Sequence, residues 1–303
     1  MNKNQERKEK EPAQNSGILK GVGGLIDDAL QEYIPGLKEI GRDAPHYTRK
    51  TASNRLLDAL QEQSAPDFKG LLARMLKRIH TNYEDARAAY DDPRSVANWR
   101  LEKMLACDRK NPSDEKTLEK GIAAFPCWFN QIPAASGYTE KRQGKRAIDL
   151  CFRVDGRRLA FLELKWGCAK TNYNILSAAF EVLGYGLLYL FARTSKSFPH
   201  YRSLETMCAT HVLLAVLAPE EFYKNYPLKR LDQLEDKLDE AVCNLSRSQD
   251  ARLNMGFRFL RFPASFKWPR ELEQPTDAVE SIEDQLRAEA LWKALERNQG
   301  PTD

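Results

Sequence analysis

The sequence contains only four histidines among its 303 residues, His46, His80, His200 and His211. No two of them form a His-x-x-x-His or His-Asp pair, so a histidine-based metal or catalytic site is not indicated. The six cysteines are scattered and include no Cys-x-x-Cys pair, which argues against a zinc ribbon. One of them, Cys151, lies in a predicted strand, and we expect it to be a reduced thiol in the core.

A phosphate-binding loop is also missing, because no Gly-x-x-x-x-Gly-Lys-Ser/Thr segment occurs. The chain is therefore not expected to bind ATP as a P-loop protein, and a separate partner would have to supply any energy. The formal net charge is only +4, so the overall charge does not by itself indicate a nucleic-acid partner.

Long hydrophobic runs are absent as well. The longest apolar run, Val182–Ala192, is too short to span a bilayer, so no membrane association is predicted. The first 17 residues are rich in lysine, glutamate and glutamine and lack the apolar core of a signal peptide. These absences favour a soluble protein of the reducing cytoplasm.

Three regions follow from the distribution of apolar residues. Residues 1–17 have almost nothing to bury and are predicted to be a disordered tail. Residues 18–110 are predicted to be an α-helical region without a DNA-binding signature, whose role is packing or binding a protein partner. Its apolar residues recur at helical spacing in four segments: Leu25–Ile34, Ser53–Gln63, a helix from Pro66 to about Asp91, and Ser95–Cys107.

Residues 111–303 are predicted to form an α/β domain with a C-terminal helical extension. The buried strand Thr210–Leu217 is continuously apolar, as expected for the centre of a sheet. The edge strand Gly256–Pro263 alternates aromatic and basic residues, which could pack inwards or stack on bases. The other predicted elements are the helix Ser113–Phe125, the strand Cys127–Ile132, and the helices Asn174–Phe191, Leu228–Leu245 and Ser281–Asn298.

The most informative stretch is Arg146–Gly167. Ala147–Val154 alternates at the period of a β-strand, and Leu159–Lys165 is apolar on both faces until Glu163 and Lys165. The two segments flank an Asp-Gly turn, which predicts a hairpin. A two-residue turn would place Asp149 opposite Leu162. A three-residue loop would place Asp149 opposite Glu163, with Cβ atoms about 5 Å apart.

Two polar residues interrupt the second strand of this hairpin. Glu163 and Lys165 are two positions apart, so their side chains leave the strand on the same side. In the three-residue register Asp149 would face Glu163, and two carboxylates that close repel unless a cation lies between them. Oxygen ligands of this kind suit Mg²⁺, which typically takes one or two carboxylates and keeps several waters.

Asp149, followed by Glu163-Leu164-Lys165 on the next strand, resembles the motif of the PD-(D/E)XK nuclease superfamily. Ile148 stands where that family often has proline. The resemblance covers about a third of the chain, from about Pro112 to Leu217. It implies an α/β fold with a restriction-endonuclease-like core, in which a mixed sheet is flanked by helices in the order α-β-β-β-α-β, preceded here by the α-helical region.

The resemblance also implies the chemistry of the site. Asp149, Glu163 and the carbonyl of Leu164 would hold Mg²⁺ or Mn²⁺, and Lys165 would orient the attacking water or stabilise developing negative charge. The helix before the first core strand often adds an acid, and Glu115 is the expected residue because it lies nearer the apolar stripe. Glu119 is the reserve. Glu181 and Tyr185, four apart on the helix after the motif, could also present polar groups to the site.

The expected function is that of a metal-dependent nuclease, most simply a DNA endonuclease of a prokaryotic restriction, anti-phage or mobile-element system, with RNA not excluded. The alternative is a catalytically inactive protein of the same fold that binds nucleic acid or a partner. A helicase or ATPase could bind through the helical region, and a homodimer is also possible. Basic residues at both ends of the hairpin could meet phosphates: Lys141, Arg142, Lys145, Arg146, Arg157 and Arg158.

Overall fold

The computed structural model describes residues 18–34, 36–37, 46–60, 66–89, 98–105, 113–134, 147–167, 174–197, 199–224, 226–262 and 266. The predicted tail (1–17), the predicted C-terminal helix (281–298) and the basic loop residues Lys141, Arg142, Lys145 and Arg146 lie outside the described residues. The predicted domain boundary near residue 110 also falls in a stretch that is not described.

The chain alternates helices and strands after an all-helical beginning. The described helices are α1 (Val22–Leu30), α2 (Lys50–Ala59), α3 (Phe68–Ala89), α4 (Asp114–Ala124), α5 (Ile175–Thr194), the short α6 (Glu220–Tyr223) and α7 (Leu228–Gln249). The described strands are β1 (Trp128–Pro133), β2 (Ala147–Arg153), β3 (Arg158–Leu164), β4 (His211–Ala218) and β5 (Asn254–Arg261). From α4 to β4 the order is therefore α-β-β-β-α-β.

The five strands form one mixed sheet in the order β1-β2-β3-β4-β5. The pairs β1–β2 and β2–β3 are antiparallel, whereas β3–β4 and β4–β5 are parallel. Strand β4 lies between two neighbours and is buried at every position after His211, which confirms the prediction of a buried central strand. The protein is thus α/β, with a mixed sheet flanked by helices.

Each face of the sheet is covered by different helices. Helix α4 packs Leu118 and Ile122 against one face, together with Leu162 and Leu213 of the central strands. The other face packs against α5 and α7, and α1, α2 and α3 belong to the same buried cluster. The N-terminal helices therefore share their hydrophobic core with the sheet.

Helix α5 lies directly on β4. A Cβ atom at Gly186 would overlap with Leu214 Cδ1 and come within 3.1 Å of Leu214 Cδ2 and Met255 Cε. The absence of a side chain at Gly186 is what allows the helix to approach so closely. Among the described residues, α5 is the helix long and apolar enough to cross a membrane, but 89% of its apolar window is buried in the protein, as in the core helix of a soluble α/β protein.

The edge strand β5 packs its aromatic side chains inwards. Phe257 is fully buried and Phe259 packs against the same core. Their backbone N–H groups donate to carboxylates of α7, Phe257 to Asp239 at 2.7 Å and Phe259 to Glu235 at 2.6 Å. Arg258 pairs with these two carboxylates, so the strand edge is covered by ion-paired side chains rather than open to bases.

The predicted helix Ser95–Cys107 is wrong for the part that the structure describes, residues 98–105, which are not helical. Trp99 is fully buried with a φ of 64°, and its N–H donates to Pro133 O at 2.8 Å. Met104 bonds through both its N–H (2.7 Å) and its C=O (3.0 Å) to the side chain of Asn130. The segment runs along the edge of β1, and these tertiary contacts outweigh its helical periodicity.

Candidate active site

The loop of the β2–β3 hairpin decides which side chains face each other. Asp155 Oδ1 accepts the N–H groups of Arg157 at 2.7 Å and Arg158 at 2.8 Å, and the Val154 N–H donates to Arg158 O at 3.0 Å. The loop therefore contains three residues, the second of the two predicted alternatives. Short-range hydrogen bonding by an aspartate is a common way to fix such a turn.

This loop places the two motif carboxylates together. Leu150 pairs with Leu162, so the next position outwards brings Asp149 opposite Glu163. Asp149 Oδ2 accepts the N–H of Leu164 at 3.0 Å, which holds this carboxylate at the end of β3. Of the two predicted registers, the structure therefore has the one that brings Asp149 opposite Glu163.

Lys165 occupies the space beside the pair. Its Nζ contacts Glu163 Oε1 directly and lies 3.5 Å from Glu181 Oε2 on α5. The side chains of Lys165 and Glu163 are only 6% and 4% exposed, and the Lys165 N–H donates to Leu217 O at 2.9 Å. Strands β3 and β4 and helix α5 therefore hold the ammonium group in place.

Glu181 joins the cluster from α5, as its position after the motif suggested. Its side chain is 39% exposed, so it connects the buried Lys165 to solvent. Tyr185, one helical turn later, is buried. The predicted polar face of α5 therefore contributes Glu181 to the site, whereas Tyr185 belongs to the core cluster.

The two candidate acids of α4 have different positions from those expected. Glu119 is only 4% exposed, whereas Glu115 is half-buried, so the prediction that Glu115 lies nearer the buried side was wrong. Glu115 Oε2 accepts the N–H of Trp166 at 2.9 Å, just after β3. Glu119 is the acid of α4 whose charge acts on Asp149.

Two amides that the sequence did not single out hold Glu119. Asn130 Nδ2 donates to its Oε1 at 2.8 Å, and Gln131 Nε2 donates to its Oε2 at 2.9 Å. Gln131 has a φ of 52°, a left-handed conformation that is uncommon for a non-glycine residue and often marks a functional site. It precedes Ile132, which pairs with Ile148, so its place in β1 is opposite Asp149. Nothing in the local sequence pattern signals this conformation.

Burial and crowding raise the pKa values of both motif carboxylates. Burial, followed by the charges of Glu119 and Glu181, raises the pKa of Asp149 from 3.8 to about 7, against the opposing effects of Lys165 and the Leu164 N–H. Burial and the charge of Asp149 raise the pKa of Glu163 well above its ordinary value. These are the shifts expected of like charges sharing a desolvated site.

Lys165, unlike the two carboxylates, is stabilised in its charged form. Burial alone would lower its pKa, but the carboxylates of Glu163, Glu181 and Asp149 together raise it above its ordinary value. The ammonium group therefore stays protonated at neutral pH. A residue held in this state can donate hydrogen bonds and stabilise negative charge, but it cannot accept a proton from water.

Carboxylate oxygens, the ligand type that Mg²⁺ prefers, converge on this end of β3. The carboxylates of Glu163, Glu181 and Asp149 act on the Lys165 ammonium group, and Glu119 acts on Asp149, so acidic groups outnumber the single basic one. No group of three or more His, Cys, Asp or Glu side chains is placed as a metal-binding cluster in the described part of the chain. A magnesium ion would need only one or two of these carboxylates, with water and a backbone carbonyl completing its shell.

The basic side chains of the hairpin loop lie far from this site. Arg157 and Arg158 are at the opposite end of β3 from Glu163, about 20 Å away at the rise of a β-strand. Arg157 is exposed, whereas Arg158 pairs with Asp155 at 2.7 Å. Any contact they make with a substrate would be remote from the carboxylates.

The chain matches no protein-family model, and no curated protein or solved structure matches it significantly. The assignment of function therefore depends on the geometry and chemistry of the site.

Proposed function

We propose that this protein is a metal-dependent nuclease that hydrolyses phosphodiester bonds, in the first place a DNA endonuclease. The observation that carries the proposal is the placement of Asp149 directly opposite Glu163, with the Lys165 ammonium group in contact with Glu163. Two carboxylates and one permanently charged lysine at the end of a strand can hold a divalent cation beside a phosphate and compensate its charge.

The architecture supports the same proposal. The observed order α-β-β-β-α-β and the mixed sheet are those expected of a restriction-endonuclease-like core. The site lies at the carboxyl end of β3, where it meets the parallel strand β4. Ligands of α/β proteins commonly bind at this end of parallel strands.

Each side chain has a definite role in the proposed reaction. Asp149, Glu163 and the Leu164 carbonyl would hold Mg²⁺ or Mn²⁺, which would supply a water of lowered pKa and neutralise charge on the phosphate. Lys165 orients the attacking water and stabilises the developing negative charge. Lys165 contacts one carboxylate oxygen of Glu163, so the lysine and a bound cation would share this carboxylate.

Two further residues act through these groups. Glu181 lies 3.5 Å from Lys165 Nζ and helps to keep it protonated, so it is a positioning residue for the lysine. Glu119, held by Asn130 and Gln131, places a second negative charge beside Asp149. In this proposal Glu119 takes the role that the sequence assigned to Glu115, and Glu115 anchors the main chain at Trp166.

The test is a cleavage assay with Mg²⁺ or Mn²⁺ on plasmid, linear double-stranded, single-stranded and RNA substrates. We expect D149N, E163Q and K165M each to lower the rate by at least about a hundredfold. The matched controls are D232N and K237M, which change exposed residues of α7. Full cleavage by both D149N and K165M would refute the assignment.

A specific observation supports a second candidate, a catalytically inactive protein of the same fold. Lys165 and Glu163 form a buried ion pair, which would by itself satisfy both charges without any metal. Such a protein would bind nucleic acid or a partner such as a helicase or ATPase. Isothermal calorimetry separates the two candidates, because the enzyme binds Mg²⁺ or Mn²⁺ through Asp149 and the inactive protein does not.

A further inference from the structure

A cleft lies at the other end of the sheet from the candidate active site. This cleft of about 720 Å³ opens where β4 begins, between the C-terminal ends of α5 and α7. The residues that matter for its chemistry are Arg193, Thr194, Arg202, Thr210, Asp250 and Arg252. Its volume lies within the range of small-molecule sites.

Arg193 forms the fixed wall of this cleft. Its side chain is only 9% exposed, and its Nε donates to Asp250 Oδ2 at 2.7 Å. Its Nη1 donates to Tyr189 OH at 3.2 Å, to Met207 O at 2.9 Å and also to Ala209 O. These bonds hold the charged guanidinium group of Arg193 rigidly in the lining of the cleft.

Two more arginines line the cleft from its open side. Arg202 is exposed, and the side chain of Arg252 is 85% exposed with its Nε 3.6 Å from Asp250 Oδ1. Both oxygens of Asp250 are occupied, Oδ2 by Arg193 and Oδ1 by the backbone N–H of Arg252 at 3.0 Å. Asp250 is therefore shared between Arg193 and Arg252, while the guanidinium groups of Arg202 and Arg252 remain exposed to solvent.

The arginines outnumber the negative charges around them. Two helix C-termini end at this cleft, each equivalent to about half a negative charge. Together with Asp250 they balance about two of the three arginines. Neutralising the helix ends therefore does not account for all of the positive charge.

We propose that this cleft binds a phosphate-bearing ligand of nucleotide size. Guanidinium groups recognise phosphate through paired, charge-assisted hydrogen bonds, and a fixed arginine loses little freedom on binding. The cleft is separate from the candidate active site, because Thr210 bonds to Arg157 at the far end of β3, about 20 Å from Glu163. The proposal does not depend on the nuclease activity.

Calorimetric titration of the full chain with adenosine monophosphate, inorganic phosphate and a short single-stranded oligonucleotide tests the inference. We expect R202Q and R252Q each to weaken nucleotide binding by about fivefold or more, as for the loss of one charge near water. The control R74Q changes an exposed arginine of α3 and should leave binding unchanged. Thermal unfolding of each variant verifies that the fold is retained.

The outcomes separate the sources of the phosphate. Binding of the mononucleotide that depends on Arg202 and Arg252, and is unaffected by K165M, supports a small-molecule site. Binding of the oligonucleotide alone with the same arginine dependence assigns the cleft to a nucleic-acid phosphate. If no probe binds at millimolar concentration, or if binding is lost in K165M but not in R202Q and R252Q, the inference is overturned.

Discussion

Replacing Asp149 by asparagine should stabilise the metal-free protein while it abolishes cleavage. Asp149 is crowded by Glu163, Glu119 and Glu181, and its pKa of about 7 shows that folding disfavours its charged form. The amide variant removes that charge and keeps an oxygen that can accept the Leu164 N–H. The residue that the proposed reaction needs is thus expected to be a source of instability in the fold.

The raised pKa of Asp149 determines how the stability of the wild-type protein changes with pH. Because the pKa of Asp149 is raised from 3.8 to about 7 by folding, the wild-type protein loses stability as the pH rises through this range. At about 1.4 kcal/mol per pKa unit, the whole shift corresponds to an effect on the order of 4 kcal/mol. The advantage of D149N should be small near pH 4, grow up to about pH 7, and then level off.

Urea denaturation of wild type and D149N across this pH range, without divalent metal, measures the effect. The slope of the transition should stay the same and its midpoint should move to higher urea. Adding Mg²⁺ at ten times its dissociation constant should stabilise the wild type by about 1.4 kcal/mol and leave D149N unchanged. The control D232N, at an exposed position of α7, should show neither effect.

The result that would refute this reasoning is specific. If D149N were less stable than the wild type at pH 8, or if its advantage did not change between pH 4 and pH 7, Asp149 would not be a crowded, desolvated carboxylate. A loss of stability in D149N would then assign Asp149 a structural role.

Two further predictions concern the scaffold. G186A should destabilise the protein by about 1–3 kcal/mol in urea denaturation, because its Cβ would overlap with Leu214. The control G184A, whose Cβ would meet only an ordinary contact at 4.0 Å, should be neutral or stabilising. D239A should cost about 1–3 kcal/mol because it leaves the Phe257 N–H without its acceptor. Size-exclusion chromatography should also show increased association of D239A, since the edge of β5 is uncovered; a monomer as stable as the wild type would contradict this.

The hairpin and its carboxylate pair could be predicted because they depend on local information. The period of two identifies the strands, and the number of loop residues sets which side chains face each other. Only the choice between a two-residue and a three-residue loop needed the structure, where Asp155 accepts the N–H groups of Arg157 and Arg158. A short loop thus determined whether Asp149 met Glu163 or Leu162.

The segment at 98–105 could not be predicted in the same way. Its apolar residues fit a helix, but its backbone groups bond to Pro133 and Asn130, about thirty residues later in the chain. Trp99 is buried against Phe161 and Tyr189, which belong to a strand and a helix that follow still later. A contact pattern of this kind is set by tertiary packing and leaves no periodic signal.

The choice between Glu115 and Glu119 failed for a related reason. A helical wheel gives the angle of each side chain from the apolar stripe, but not how the helix is rotated on the sheet. In the structure α4 turns Glu119 towards the amides of Asn130 and Gln131, which offer hydrogen bonds to a buried carboxylate. Buried acids occur where such partners exist, so the polar residues of β1 were the missing signal.

The balance of charge at the site is the property that the sequence motif predicts least well. Lys165 contacts Glu163, but Glu181 and Glu119 come from helices on either side of the sheet, and their charges combine only in the folded protein. A single ammonium group cannot neutralise four carboxylates, so the fold must either hold protons on some of them or bind a cation. The raised pKa values of Asp149 and Glu163 describe the first state, in which protons are held. Because a divalent cation would displace those protons, its binding should release protons and strengthen as the pH rises through 7. Calorimetry in buffers of different ionisation enthalpy measures that proton release directly. If a metal binds without releasing protons, the raised pKa values of Asp149 and Glu163 are unrelated to metal binding.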